Sequence, residues 1–167
     1  MFKKGLLILF CFLLLMGCSK KEDFDANKVT LDSNFYNKGE FIDIKSEYLI
    51  DENPTNYVLF VYNSYCTLKI PCEDIFKEYM KKENIDFLSM NIDEYKKTEL
   101  YDKVKYAPTI IIVKDKKIVA YLDAESNEDL NKYQDVNEFK YWINKYINVK
   151  FKWLNVLKGF TRKVIYY

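Results

Sequence analysis

The chain has 167 residues, enough for one ordinary domain with appendages and cramped for two. Its formal charge of +1 supplies no electrostatic reason for a nucleic-acid partner. Histidine is absent and Arg162 is the only arginine, which excludes Cys–His and Ser–His–Asp nucleophile systems and every histidine-containing metal site, and disfavours bidentate phosphate recognition.

Residues 1–17 begin with Lys3 and Lys4, continue as the apolar run Leu6 to Met16, and end at Gly17 before Cys18. The run falls well short of the roughly 20 residues that cross a bilayer, so it predicts a cleaved export signal rather than a spanning helix. Leu15-Met16-Gly17-Cys18 resembles the lipobox of bacterial lipoproteins. That resemblance implies fatty acylation of Cys18 as the mature amino terminus, and hence a lipid anchor on the extracytoplasmic face of the cell membrane. The plainer alternative is an exported protein in which Cys18 is incidental. Residues 18–40 then form the lipidated amino terminus and a tether: Ser19 to Lys28 is polar and charged, and Val29 to Phe41 has no clear pattern.

Ile42 to Glu52 predicts a strand end followed by a short helix, and Asn53-Pro54-Thr55-Asn56 a turn. Val58 to Tyr62 is a nearly continuous run of β-branched and aromatic residues, the pattern of a central strand buried on both faces. It breaks at Asn63-Ser64-Tyr65-Cys66, and after Thr67-Leu68-Lys69-Ile70 comes Pro71, which suits a first helical position because its missing N–H has no intrahelical partner there. Ile75, Phe76, Tyr79 and Met80 recur at helical spacing opposite Lys77, Glu78, Lys81 and Lys82, predicting a helix from Pro71 to Lys82. Ile85 to Ile92 reads as a second strand with its exit at Asn91 to Glu94, and Tyr95 to Val104 as an amphipathic helix with Leu100, Tyr101 and Val104 inward. After the break at Lys105-Tyr106-Ala107-Pro108, Thr109 to Val113 predicts a strand, Asp115-Lys116-Lys117 a turn and Ile118 to Leu122 its hairpin partner. Ala124 to Gln134 is polar, a loop or short helix. Asp135 with Glu138 three positions later has the capping pattern that opens a helix, with Phe139, Trp142, Ile143, Tyr146 and Ile147 on one face.

Tyr62-Asn63-Ser64-Tyr65-Cys66 at a strand end, Pro71-Cys72 opening a helix, Asn91-Ile92-Asp93 after the next strand, Tyr106-Ala107-Pro108-Thr109, and the terminal hairpin and helix together resemble the thioredoxin family over residues 41–147. The resemblance implies an α/β, thioredoxin-like fold, a mixed central sheet with flanking helices. It also implies that Cys66 and Cys72 are the catalytic pair, and that Ala107-Pro108-Thr109 is a cis-proline loop lying against the reactive cysteine. There Tyr65, Ala107, Pro108 and Thr109 would bind protein substrates carrying thiols or disulfides. The family's usual pair is Cys-x-x-Cys, whereas five residues separate Cys66 from Cys72 here. Tyr65 stands in place of the usual tryptophan, and Phe60 where many thioredoxins carry a buried acid.

Counting forward from the strand makes Cys66 the attacking thiol; counting back from the helix makes Cys72 the resolving one. Cys72 gains directly from the helix dipole, with Glu73 and Asp74 opposing it. The pair has three readings: a thiol–disulfide exchange site needing no separate cofactor, a structural disulfide stapling a loop, or unpaired or metal-binding thiols. Copper(I) is the reasonable ion for two soft ligands, but no further ligand supports a metal site. Tyr57, Tyr62, Tyr65 and Tyr106 either line a peptide groove beside the pair or fill the core and its rim.

Residues 148–167 form a basic, aromatic segment with Lys150, Lys152, Lys158, Arg162 and Lys163, while all 25 acidic residues fall between 18 and 147. Phe151, Leu154, Leu157, Phe160 and Val164 allow an amphipathic helix that either lies on an anionic membrane surface or packs on the acidic body. The sequence thus predicts a membrane-anchored thiol–disulfide oxidoreductase. The alternative is a non-catalytic binding or adaptor lipoprotein of the same fold with a structural disulfide.

Overall fold

A computed structural model describes residues 25, 27–63 and 71–149. The expectations for the signal sequence, Cys18, Tyr65, Cys66 and the basic carboxyl-terminal segment from residue 150 lie outside the described residues. The strands are β1 (Phe41–Asp43), β2 (Tyr57–Tyr62), β3 (Phe87–Asn91), β4 (Thr109–Lys114) and β5 (Lys117–Tyr121). The helices are α1 (Tyr48–Asp51), α2 (Cys72–Glu83), α3 (Ile92–Tyr95) and α4 (Val136–Ile143), with single 3₁₀ turns at Ser33–Phe35, Glu99–Asp102 and Leu130–Tyr133.

The five strands form one sheet in the order β1-β3-β2-β4-β5. β1 and β2 run parallel to β3, whereas β4 runs antiparallel to both β2 and β5. With helices against it, this mixed sheet is the thioredoxin-like fold that the resemblance implied. Val58, Leu59, Phe60 and Val61 are at most 3% exposed, as a strand flanked by neighbours and covered on both faces must be. On one face α2 packs against α4 through Phe76 and Phe139, whose ring centroids lie 4.6 Å apart, and through Tyr79, which meets Phe139 edge-on at 5.3 Å. Asp135 caps α4 by accepting from the amides of Asn137 and Glu138.

Several boundaries differ from the sequence expectation. The helix expected over Tyr95 to Val104 starts earlier, because Asn91 is not merely a strand exit: its side chain accepts from the amide of Asp93 and opens α3 at Ile92. That helix ends at Tyr95, and the chain re-forms only a 3₁₀ turn at Glu99–Asp102 before Val104 is buried. Pro71 is the residue before α2 rather than its first member, with an extended ψ of 122°. β3 begins at Phe87 because Asn84 takes a left-handed conformation to end α2, and the amide of Ile85 turns back to the carbonyl of Met80. α4 stops at Ile143; Ile147 is still buried, but in an isolated parallel bridge to Val29.

That bridge moves the edge of the packed body. The expected tether over 18–40 gives way to core from Val29 onward: Val29, Leu31 and Phe35 are at most 2% exposed. The arm is fastened by the amide of Val29 to the carbonyl of Tyr146, by Asn148 back to Val29, and by the Tyr36 hydroxyl, which donates to the carbonyl of Asn148 at 2.8 Å. Burial of three large apolar groups fixes a segment whose sequence has no periodic pattern to announce it. No helix among the described residues is long and apolar enough to cross a membrane.

Candidate functional site

Strand register brings the site together. Val61 pairs with Thr109 in the antiparallel β2–β4 ladder, so continuing the ladder two residues sets Asn63 opposite Ala107. There the side-chain amide of Asn63 donates to the carbonyl of Ala107 at 2.9 Å. The peptide bond to which that carbonyl belongs, Ala107-Pro108, is cis. The carboxyl-terminal end of β2 and the start of β4 therefore form one rim of the sheet, and α2 begins after Pro71.

Cys72 is the first residue of α2 and is 3% exposed. One turn further on, Phe76 stacks edge-on against Phe60 at 5.3 Å and approaches Tyr133 at 6.0 Å. Phe60 thus fills the space beneath the helix with a ring. The buried polar and charged side chains among the described residues are Ser46, Asp86, Ser89 and Thr109. Asp86, the sole carboxylate of that group, takes the amides of Lys38, Gly39 and Glu40 where the chain enters β1. It serves a turn and not a thiol. At the helix start, Glu73 is held by Lys77 at 2.5 Å, which tempers its opposition to negative charge on the Cys72 sulfur.

Thr109, expected to face substrate, is fully buried; its hydroxyl donates to the carbonyl of Leu122 at 2.5 Å. It ties β4 to the end of β5 and presents no side chain at the rim. Ala107 and Pro108 are half-buried there. Tyr106 is 41% exposed beside them, and Tyr62 is half-buried with its hydroxyl 3.3 Å from a carboxylate oxygen of Asp43. Burial, and then Asp43 and Glu73, push the Tyr62 phenol up. Tyr57, grouped with these on sequence, lies at the opposite end of β2 against Val113 and is a core residue. Cys66 and Tyr65 fall outside the described residues.

Two members of the site have roles that no sequence signal gives. Asn63 is one, an ordinary residue at a strand end. Tyr133 is the other: it closes a 3₁₀ turn in a polar stretch, yet it is 2% exposed, and its hydroxyl lies 3.0 Å from the carbonyl of Pro108 and 3.1 Å from that of Leu122. Burial pushes its phenol far above the ordinary value; a hydrogen bond with Thr109 pulls back, and charge at Cys72, Asp129 and Asp123 pushes up again. Tyr133 is therefore bonded to the cis-proline loop and within electrostatic reach of Cys72. No cluster of three or more potential metal ligands occurs among the described residues.

No family model matches the chain, and no curated protein matches it. Solved structures similar to it are thioredoxins. A mutant thioredoxin of Halobacterium salinarum NRC-1 is 15% identical over 68% of this chain and 96% of its own, with a TM-score of 0.49. The thioredoxin of Schistosoma mansoni is 20% identical over 66% and 99%, at 0.45, and that of Nicotiana alata 17% identical over 67% and 95%, at 0.46.

Proposed function

We propose that the protein is a thiol–disulfide oxidoreductase, anchored through lipid on Cys18 at the extracytoplasmic face of the membrane, that exchanges disulfides with protein substrates through Cys66 and Cys72. The observation that carries this reading is a buried cysteine opening α2 within electrostatic reach of Tyr133, whose hydroxyl bonds the carbonyl of Pro108 in the cis Ala107-Pro108 loop. In the reducing direction a thiolate of the pair attacks one sulfur of a substrate disulfide. A mixed disulfide forms, and the second substrate sulfur leaves as a thiolate. The remaining cysteine thiolate then attacks the protein sulfur of that mixed disulfide, releasing the other substrate thiol and closing Cys66–Cys72. Two electrons pass from the pair to the substrate, and no separate cofactor enters. Cys66 is the attacking sulfur in this scheme and Cys72 the resolving one, since burial limits the access of a bulky substrate to Cys72.

A second reading has its own support. Cys72 is buried, and Phe60 occupies the space under the helix, so among the described residues no carboxylate there assists proton transfer. These features suit a static disulfide in an adaptor protein that binds partners through the same rim. Substrate trapping separates the two. With Cys72→Ser in the full-length protein, exchange predicts mixed disulfides that run as reducible adducts on Cys66. Absence of adducts, with wild-type Cys66–Cys72 still oxidised in a glutathione buffer poised as reducing as the cytosol, sinks the enzymatic reading.

A further inference from the structure

The hydroxyl of Tyr133 has one proton, two carbonyls within reach and the Thr109 hydroxyl beside it. Leu122 already receives the shorter bond from Thr109, at 2.5 Å, whereas no other side-chain donor reaches the carbonyl of Pro108 among the described residues. The proton is best used on Pro108. Tyr133 is itself immobilised, since its ring packs on Phe76, one helical turn beyond Cys72, and the residue is 2% exposed. Asn63 holds the loop from the other side through the carbonyl of Ala107. The carbonyl of the cis peptide itself, that of Ala107, and the carbonyl of the following peptide, that of Pro108, are thus each clamped by one side-chain donor. The clamps come from separate parts of the chain, the end of β2 and the turn before α4.

We infer that Tyr133 is a positioning residue, whose hydroxyl fixes the Pro108 carbonyl so that the neighbouring backbone stays aligned to receive an extended polypeptide beside the cysteine pair. This rests on the reading of Cys66 and Cys72 as an exchanging pair, and adds to it a specificity: Tyr133 matters for peptide disulfides and not for small ones. A small aromatic disulfide needs only an accessible sulfur. A peptide disulfide must also lie along the rim, so a loop free to shift lowers its productive binding. The phenol stays protonated, being pushed far up by burial, so its part is that of a fixed donor and not of a base for the thiols.

The test uses the full-length, reduced protein with two probes, a short synthetic peptide containing one disulfide and 5,5′-dithiobis(2-nitrobenzoate). Tyr133→Phe keeps the ring and removes the donor. One hydrogen bond of ordinary net strength corresponds to about a tenfold fall in kcat/KM for the peptide, expressed in KM, with the small disulfide reacting within about twofold of wild type. Tyr79→Phe is the control: it deletes an equally enclosed hydroxyl that donates to Asn144 at 2.8 Å, and leaves both rates as they were. Unchanged peptide kinetics in Tyr133→Phe overturn the inference, and so does a parallel fall with both probes, which marks an effect on the sulfurs or on folding. Wild-type protein that exchanges with neither probe overturns the proposed function itself, before any variant is made.

Discussion

Buried hydroxyls among the described residues are almost all accounted for, and the exception is instructive. Tyr79 donates to Asn144, Tyr133 reaches two carbonyls, and Thr109 ties β4 to Leu122. Tyr95 is fully buried, yet its hydroxyl is the one buried side-chain polar atom without a hydrogen-bond partner among the described residues. Its ring earns its position by packing edge-on against Tyr101 at 5.9 Å, whereas its oxygen has lost water and gained nothing. Tyr95→Phe keeps the ring and removes the orphaned group, so it should raise stability by about 1 kcal/mol. A urea midpoint that falls in the variant sinks this account. The contrast with Tyr133 explains why the site was only partly legible in the sequence. Pro108 announces itself by breaking the pattern before a β-branched run, and Cys72 by opening a helix. Tyr133 and Asn63 act on carbonyls that reach them only after β2, β4 and β5 have paired, and no local pattern encodes such a meeting.

Among the elements, β2, β4, α2 and α4 were legible because each carries its own signal: unbroken apolar runs in the two strands, apolar spacing in the helices, and a capping aspartate before α4. The short α3 and the arm from Val29 were not, because tertiary contacts define them. One such contact sets how α2 meets the chain entering β1. Gly39 has φ of +78°, and a Cβ placed on it would lie 2.4 Å from the carbonyl oxygen of Met80 and 2.7 Å from the Cα of Lys81, both backbone atoms of the last turns of α2. Its amide, with those of Lys38 and Glu40, is taken by Asp86 just after the helix. A side chain at Gly39 therefore has to push the helix or break the three-way turn. Gly39→Ala should cost about 2–4 kcal/mol by denaturant unfolding, combining left-handed strain with a backbone clash that no rotamer relieves. A loss under about 0.5 kcal/mol is the size of an ordinary surface substitution and contradicts so close a packing.

Across the molecule the interior is built on aromatic rings that also set its limits in alkali. Rings run in contact from Phe41 through Phe60 and Phe76 to Phe139, Trp142 and Tyr146, crossing from the sheet to α2 and α4. Several inward positions are tyrosines instead of phenylalanines, and burial is the main reason that the phenols of Tyr57, Tyr79, Tyr95 and Tyr133 are pushed up, that of Tyr57 to about 12. In the unfolded chain the same groups ionise near their ordinary value of about 10. Between those limits the unfolded state binds fewer protons than the folded one, so stability falls as pH rises. The contribution of these groups is whole below about pH 10 and, for Tyr57, is lost through about pH 12. The expected outcome is a cooperative alkaline transition in that window, in which phenolate absorbance from the buried tyrosines appears together with the loss of far-ultraviolet circular dichroism. Tyr57→Phe should move the midpoint upward, since it removes one group whose ionisation favours unfolding. Phenolate absorbance that accounts for all fifteen tyrosines while the circular dichroism remains native would mean that these rings are open to hydroxide in the folded state, and that the interior is looser than its packing describes.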